Sequence, residues 1–176
     1  MRRLSPALAL VLGSVLAIAL SGVATAAPNR LRSFGTGDVT ISGGTATLVN
    51  GSGEFSGVFL RSRSLSAKRL RAVHISFRYS GDTAGGAPRF SIPLDTGQEE
   101  SVTPFAFVDA LNCGDTGVVS TDADDCKVFL NFSNESFDNW DDLVATHPTW
   151  RIARGAIPFI IADQAGTYEI SSIDLR

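Results

Sequence analysis

Short apolar runs that alternate with polar residues, each closed off by turn formers, constrain this chain more than any other feature. The clearest is Arg71 to Tyr79, where Val73, Ile75, Phe77 and Tyr79 share one parity and His74, Ser76 and Arg78 the other. Successive side chains on a strand point to opposite faces, so this segment reads as a strand with one buried face. Asp38–Ser42, Thr45–Asn50, Glu54–Arg61, Pro88–Leu94, Pro104–Leu111, Lys127–Phe132, Ile157–Ala162 and Thr167–Leu175 have similar character. Gly43-Gly44, Gly51-Ser52-Gly53 and Ser80 to Ala87 separate some of them with residues that tolerate turn conformations. Eight or more short strands at this spacing predict a mainly β fold, an antiparallel two-sheet β-sandwich of jelly-roll type. The eleven Phe mostly alternate with polar residues and read as sandwich core.

One segment breaks the pattern. Phe137, Trp140, Leu143 and Val144 recur at helical spacing, with Asp138, Asp141 and Asp142 opposite. The spacing predicts a short amphipathic helix over Phe137–Thr146, with Ser136 as N-cap and His147-Pro148 as the stop. Its acidic residues read as a solvated face or as a metal or substrate site.

At the other end of the chain, Arg2 and Arg3 precede an apolar run from Ala7 to Leu20, and Ala24-Thr25-Ala26 follows. This is the pattern of a cleavable signal peptide over residues 1–26, leaving one domain over 27–176 that is secreted or extracytoplasmic. The run is shorter than the ~20 residues of a membrane span, and no second such run follows, so no membrane insertion is expected after cleavage. Cleavage removes two of 15 basic residues and leaves 13 against 18 acidic ones, a net charge of −5. Such a balance gives no overall attraction to nucleic acid. Nine of the 13 basic residues lie before Asp95 and 15 of the 18 acidic ones from Asp95 onward. Either Arg61, Arg63, Arg69, Arg71 and Arg78 form a basic surface for an anionic polymer, or the halves interleave and their charges pair.

Cys113 and Cys126 are the only cysteines and read as one disulfide in an exported chain. Closing a loop of this size contributes about 3 kcal/mol in the chain-entropy model. The loop holds Asp115, Asp122, Asp124 and Asp125, hard oxygen ligands of the kind calcium takes, although EF-hand spacing is absent. The alternative is a plain acidic surface loop. Asn50, Asn131 and Asn134 stand in Asn-x-Ser sequons. Catalytic patterns are missing: the two histidines, His74 and His147, lie in no H-E-x-x-H, and no G-x-S-x-G occurs. Glu99 and Glu100 are adjacent and would diverge on a strand, a poor arrangement for paired acid and base.

The closing segment Gly166-Thr167-Tyr168-Glu169-Ile170-Ser171-Ser172-Ile173-Asp174-Leu175-Arg176 resembles the last strand of jelly-roll, galactose-binding-like modules. The resemblance implies carbohydrate binding and a structural calcium near Asp174. This chain departs from it in having only two Trp and two Tyr. Trp140 and Tyr79 fall on apolar faces, which leaves Trp150 and Tyr168 as candidate sugar platforms. The function expected is a secreted noncatalytic binding or adhesion module for an extracellular polysaccharide or cell-surface polymer. The alternatives are a structural domain that binds a surface protein, and an extracellular hydrolase whose His74 or His147 meets a carboxylate and a Ser or Thr.

Overall fold

A computed structural model describes residues 30–62 and 64–176; the expected signal segment lies outside the described residues. The strands are β1 Arg30–Gly35, β2 Asp38–Ser42, β3 Thr45–Asn50, β4 Ser56–Arg61, β5 Ile75–Gly81, β6 Arg89–Asp95, β7 Phe105–Asp109, β8 Val118–Ser120, β9 Val128–Leu130, β10 Ser136–Phe137, β11 Arg151–Ile152, β12 Phe159–Ala162 and β13 Gly166–Leu175. One helix, α1, spans Trp140–Thr146.

Two antiparallel sheets result. The larger, of eight strands, is ordered β1-β4-β12-β6-β7-β9-β10 with β11 on β6, and the smaller, of five, β2-β3-β13-β5-β8. The pairings nest: β3 with β13, β4 with β12, β5 with β8 and β6 with β7, all antiparallel. Each successive pair falls in the other sheet.

Alternation decides what lies between the layers. Val58, Leu60, Phe90, Ile92 and Ile160 from the larger sheet meet Leu48, Ile75, Phe77, Tyr168 and Ile170 from the smaller, all at most 1% exposed. Full burial of one such side chain contributes roughly 1.5–3 kcal/mol. The edge-to-face contact of Phe77 with Phe90, ring centroids 4.7 Å apart, joins the sheets directly.

Three local expectations shift. The strand expected over Arg71–Tyr79 begins at Ile75, because Leu70–Ala72 closes a 3-10 turn, although Val73 stays buried. The helix begins at Trp140, not Phe137: the Asn139 side chain accepts the Asp142 N–H at 2.9 Å and caps it. Ser136 and Phe137 instead pair with Phe129 and Val128 as strand β10. The helix ends at Thr146, as His147-Pro148 dictates, and Trp140 is core, its Nε1–H donating to the Leu70 carbonyl at 3.1 Å. The Cys113–Cys126 disulfide forms, across 13 positions of sequence. Among the described residues no helix is long and apolar enough to cross a membrane.

Candidate functional site

The residues singled out in the sequence converge only in part: the Trp150 carbonyl accepts the Leu70 N–H at 3.2 Å, which sets Trp150 beside Arg69 and Arg71, whereas Tyr168 and Arg78 lie on the smaller sheet. Tyr168 is fully buried at 0% exposure, because its position on β13 has core parity, so it offers no stacking face. Its hydroxyl donates to the Gln164 and Ala165 carbonyls at 3.2 and 3.4 Å. Burial pushes its phenol pKa up, with Asp82 and then Asp163 adding to the rise. Trp150 is half-buried and stacked face to face on His147, centroids 3.6 Å apart. Of the basic residues, Arg61 points outward from the larger sheet and Arg78 outward from the smaller. Arg69 bridges to Arg151 beside the larger sheet, Arg71 is exposed on the 3-10 turn, and Arg63 lies outside the described residues. Arg61 and Arg78 therefore face away from each other, since β4 and β5 lie in opposite layers.

The acidic loop is engaged elsewhere. Asp115 accepts the Tyr79 hydroxyl at 3.0 Å, and burial followed by that bond keeps the Tyr79 phenol pKa raised, against a lowering contribution from the Gly117 backbone. Asp122 holds His74 at 2.7 Å, Asp174 holds Arg176 at 2.7 Å, and Asp124 and Asp125 are exposed. Among the described residues no group of three or more His, Cys, Asp or Glu is placed to hold a metal ion. The donor set does not fit the calcium that the resemblance implied. A register shift in β13 between Ser171 and Asp174 explains part of this, because it turns Asp174 outward opposite Ser76.

Catalytic geometry is likewise incomplete. His74 and Asp122 form an exposed pair, but neither histidine is hydrogen-bonded to a Ser or Thr hydroxyl among the described residues. Nε2 of His147 is buried without a hydrogen bond, 3.9 Å from Glu135. The sequons differ in the same physical way. Asn50 is buried with its amide on backbone carbonyls, Asn131 is exposed but its amide donates to the Thr103 carbonyl, and Asn134 is exposed.

What the sequence reading missed is the outward face of the larger sheet. Residues directly opposite one another across antiparallel strands share a face. Register therefore lines up Arg32, Phe59, Phe159, Ser91, Phe107 and Phe129 in one row across β1, β4, β12, β6, β7 and β9. Phe34 and Ile161 lie to one side of this row, and Pro93 and Phe105 to the other. The rings touch: Phe34 sits 4.5 Å from Phe59 and 5.3 Å from Phe159 between centroids, and Phe159 sits 5.6 Å from Phe105.

Strands β12 and β7 flank β6 and so stand about 9–10 Å apart. Rings of Phe159 and Phe105 that meet at 5.6 Å must lean over β6. That roof explains why outward-facing Ser91 is 1% exposed and why its Oγ has no hydrogen-bond partner. The Phe34 ring covers Gly57 in the same way: a Cβ there would lie 2.5 Å from Phe34 Cζ and would strike the Ile160 carbonyl. Arg89 closes one flank, its guanidinium 5.0 Å above the Phe107 ring and bonded at 2.6 and 3.1 Å to both Asp163 carboxylate oxygens.

The smaller sheet's outward face is built to the opposite specification. Thr40, Thr47, Glu169 and Ser80 form one row, and Ser171, Arg78 and Val118 another. Only Phe77 and Phe90 of the phenylalanines are fully buried in the core. The signal for the ring-covered face lay in strands with consecutive apolar residues: Phe59-Leu60, Phe105-Ala106-Phe107-Val108 and Phe159-Ile160-Ile161. Such runs mark strands apolar on both sides rather than one. Compared with family models, curated proteins and solved structures, the chain matches none.

Proposed function

We propose that this chain is an exported, noncatalytic binding module with jelly-roll wrapping, and that a partner protein docks on the phenylalanine face of its larger sheet. The nested pairing of β3 with β13 through β6 with β7 supports the wrapping. The signal-like leader and the disulfide support export. The observation that carries the binding reading is the contrast between the outward faces, half-buried rings on one and hydroxyls on the other. A contiguous apolar patch, unlike the single apolar side chains exposed elsewhere, marks an interaction site.

A protein partner fits better than the glycan first expected. Tyr168 is core and Trp150 is committed to His147, while the phenylalanine row offers few polar groups to read sugar hydroxyls. The test is capture from extracellular material by the immobilised chain, beside a panel of insoluble polysaccharides. Retention of proteins should be lost on Phe159→Ser and kept on Thr47→Ala. Retention of polysaccharide alone, or retention indifferent to Phe159→Ser, overturns the reading.

A further inference from the structure

We infer that the partner docks by adding an extended, acidic segment to the free edge of β1. This inference rests on the reading of the chain as a protein-binding module and names the edge and the chemistry of what it takes. Among the described residues β1 pairs only with β4, and β2 only with β3, so both sheets end where these strands lie. Thr36 and Gly37 link the two strands and place both free edges on one side of the sandwich. Between them is an open depression of ≈ 260 Å³ lined by Ser33, Phe34, Gly35, Gly37 and Val39.

The layers are not closed at this seam. Ser33 has core parity, opposite Val58 at 0% exposure, yet is itself exposed. A strand hydrogen-bonded to β1 would send alternate side chains two ways, one set into the depression and the other onto the outward face beside Phe34 and Arg32. Backbone bonding with pockets for alternate side chains is the way sheet edges recognise peptides.

Charge selects the occupant. Arg32 and Arg61 are exposed on the outward face beside Phe59, without an ion-pair partner among the described residues. Arg89 on that face is answered by Asp163, and Arg151 has an acid, Asp95, opposite it in register, whereas neither Arg32 nor Arg61 has an acid opposite. The nearby acid Asp38 is on the outward face of the other sheet. The outward side chains of the added segment are therefore carboxylates, set among apolar residues that continue the ring cluster. The same arginines disfavour a second copy, since antiparallel pairing of β1 with β1 gathers like charges across one short ladder.

The test selects random ten-residue peptides, displayed as a library, on the purified, disulfide-bonded chain. Enriched peptides should carry Asp or Glu at alternate positions, and their binding should slow amide exchange in β1. Binding should fall several-fold on Arg32→Glu with Arg61→Glu and with rising salt, and should be unaltered by Arg78→Glu on the smaller sheet. Filling the depression with Ser33→Phe should also weaken it, and Arg32→Gln checks that charge reversal has not merely unfolded the edge. Enrichment without an acidic excess, or binding that leaves β1 amides unprotected, overturns the inference. If such binding is lost on Phe159→Ser, the ring-covered face is the site and the edge is not. If Phe159→Ser is also without effect, both readings fall. A chain that dimerises through β1 and selects no peptide makes a second copy the occupant and overturns the inference as well.

Discussion

The two outward faces of this sandwich share one backbone plan and differ in chemistry. On the smaller sheet, Thr47, Glu169 and Ser80 face water opposite inward Leu48, Tyr168 and Tyr79. That is the ordinary division of an antiparallel sheet. On the larger sheet, Phe59 and Phe159 alternate with inward Leu60, Val58 and Ile160, so both sides are apolar. Folding requires only the inward set. The outward rings add a second, half-buried apolar layer, and it is this layer that the proposed docking would use.

The sharpest way to break this comparison is to weigh an inward ring against an outward one. Phe77→Ala should destabilise by about 3–5 kcal/mol, since it empties a fully buried site that joins the sheets. Phe159→Ala should cost only about 1–2 kcal/mol, from partial burial and its ring contacts with Phe34, Phe59 and Phe105. Denaturant midpoints at unchanged slope measure both. Equal losses would make the outward cluster a second core and remove the reason to assign it to a partner.

The sequence disclosed the smaller sheet far better than the larger. Val73 to Tyr79 alternates cleanly because one side meets water, and its inward parity is what the structure shows. The disulfide followed from there being a single pair of cysteines, and the end of α1 from His147-Pro148. The outward rings stayed hidden because composition cannot tell which side of a strand faces the core when both are apolar. Phe105-Ala106-Phe107-Val108 is consistent with either parity until the register with Pro93 and Ser91 is known. Tyr168 failed as a platform for the converse reason: in Thr167-Tyr168-Glu169 the single ring is the inward residue. The scattering of Arg61 and Arg78 was equally illegible, since strands near in sequence lie in opposite layers.

Titration separates the sheets in a second, smaller way. Burial chiefly raises the phenol pKa values of Tyr79 and Tyr168, both on the inward side of the smaller sheet. A raised folded-state value favours the neutral phenol in the native protein. The stability it provides is complete below the unfolded value of about 10 and is lost as pH climbs through the folded value. The expected outcome is a denaturation midpoint that falls above pH 10, with a shallower fall in Tyr168→Phe. The phenylalanines of the outward face cannot contribute to that slope. An unchanged slope in Tyr168→Phe would place the titrating group elsewhere.

The smallest effect concerns what the rings do to a hydroxyl beneath them. Ser91 faces outward, is 1% exposed, and leaves its Oγ unpaired under Phe159 and Phe105. A buried polar atom without a partner costs free energy in the native state, so Ser91→Ala should be neutral or stabilising by up to about 1 kcal/mol. Thr47→Ala on the water-facing sheet should stay within about 0.5 kcal/mol of wild type, since its row exchanges one solvated side chain for another. A combined Phe159→Ala, Ser91→Ala chain tests the roof itself. With the ring gone the hydroxyl reaches water, so the gain from Ser91→Ala should vanish in that background, a coupling expected only of groups in contact. If Ser91→Ala instead destabilises by more than about 1 kcal/mol, the hydroxyl has a partner in solution. The rings would then part often enough to admit water, and the outward face would be a mobile layer rather than a preformed one.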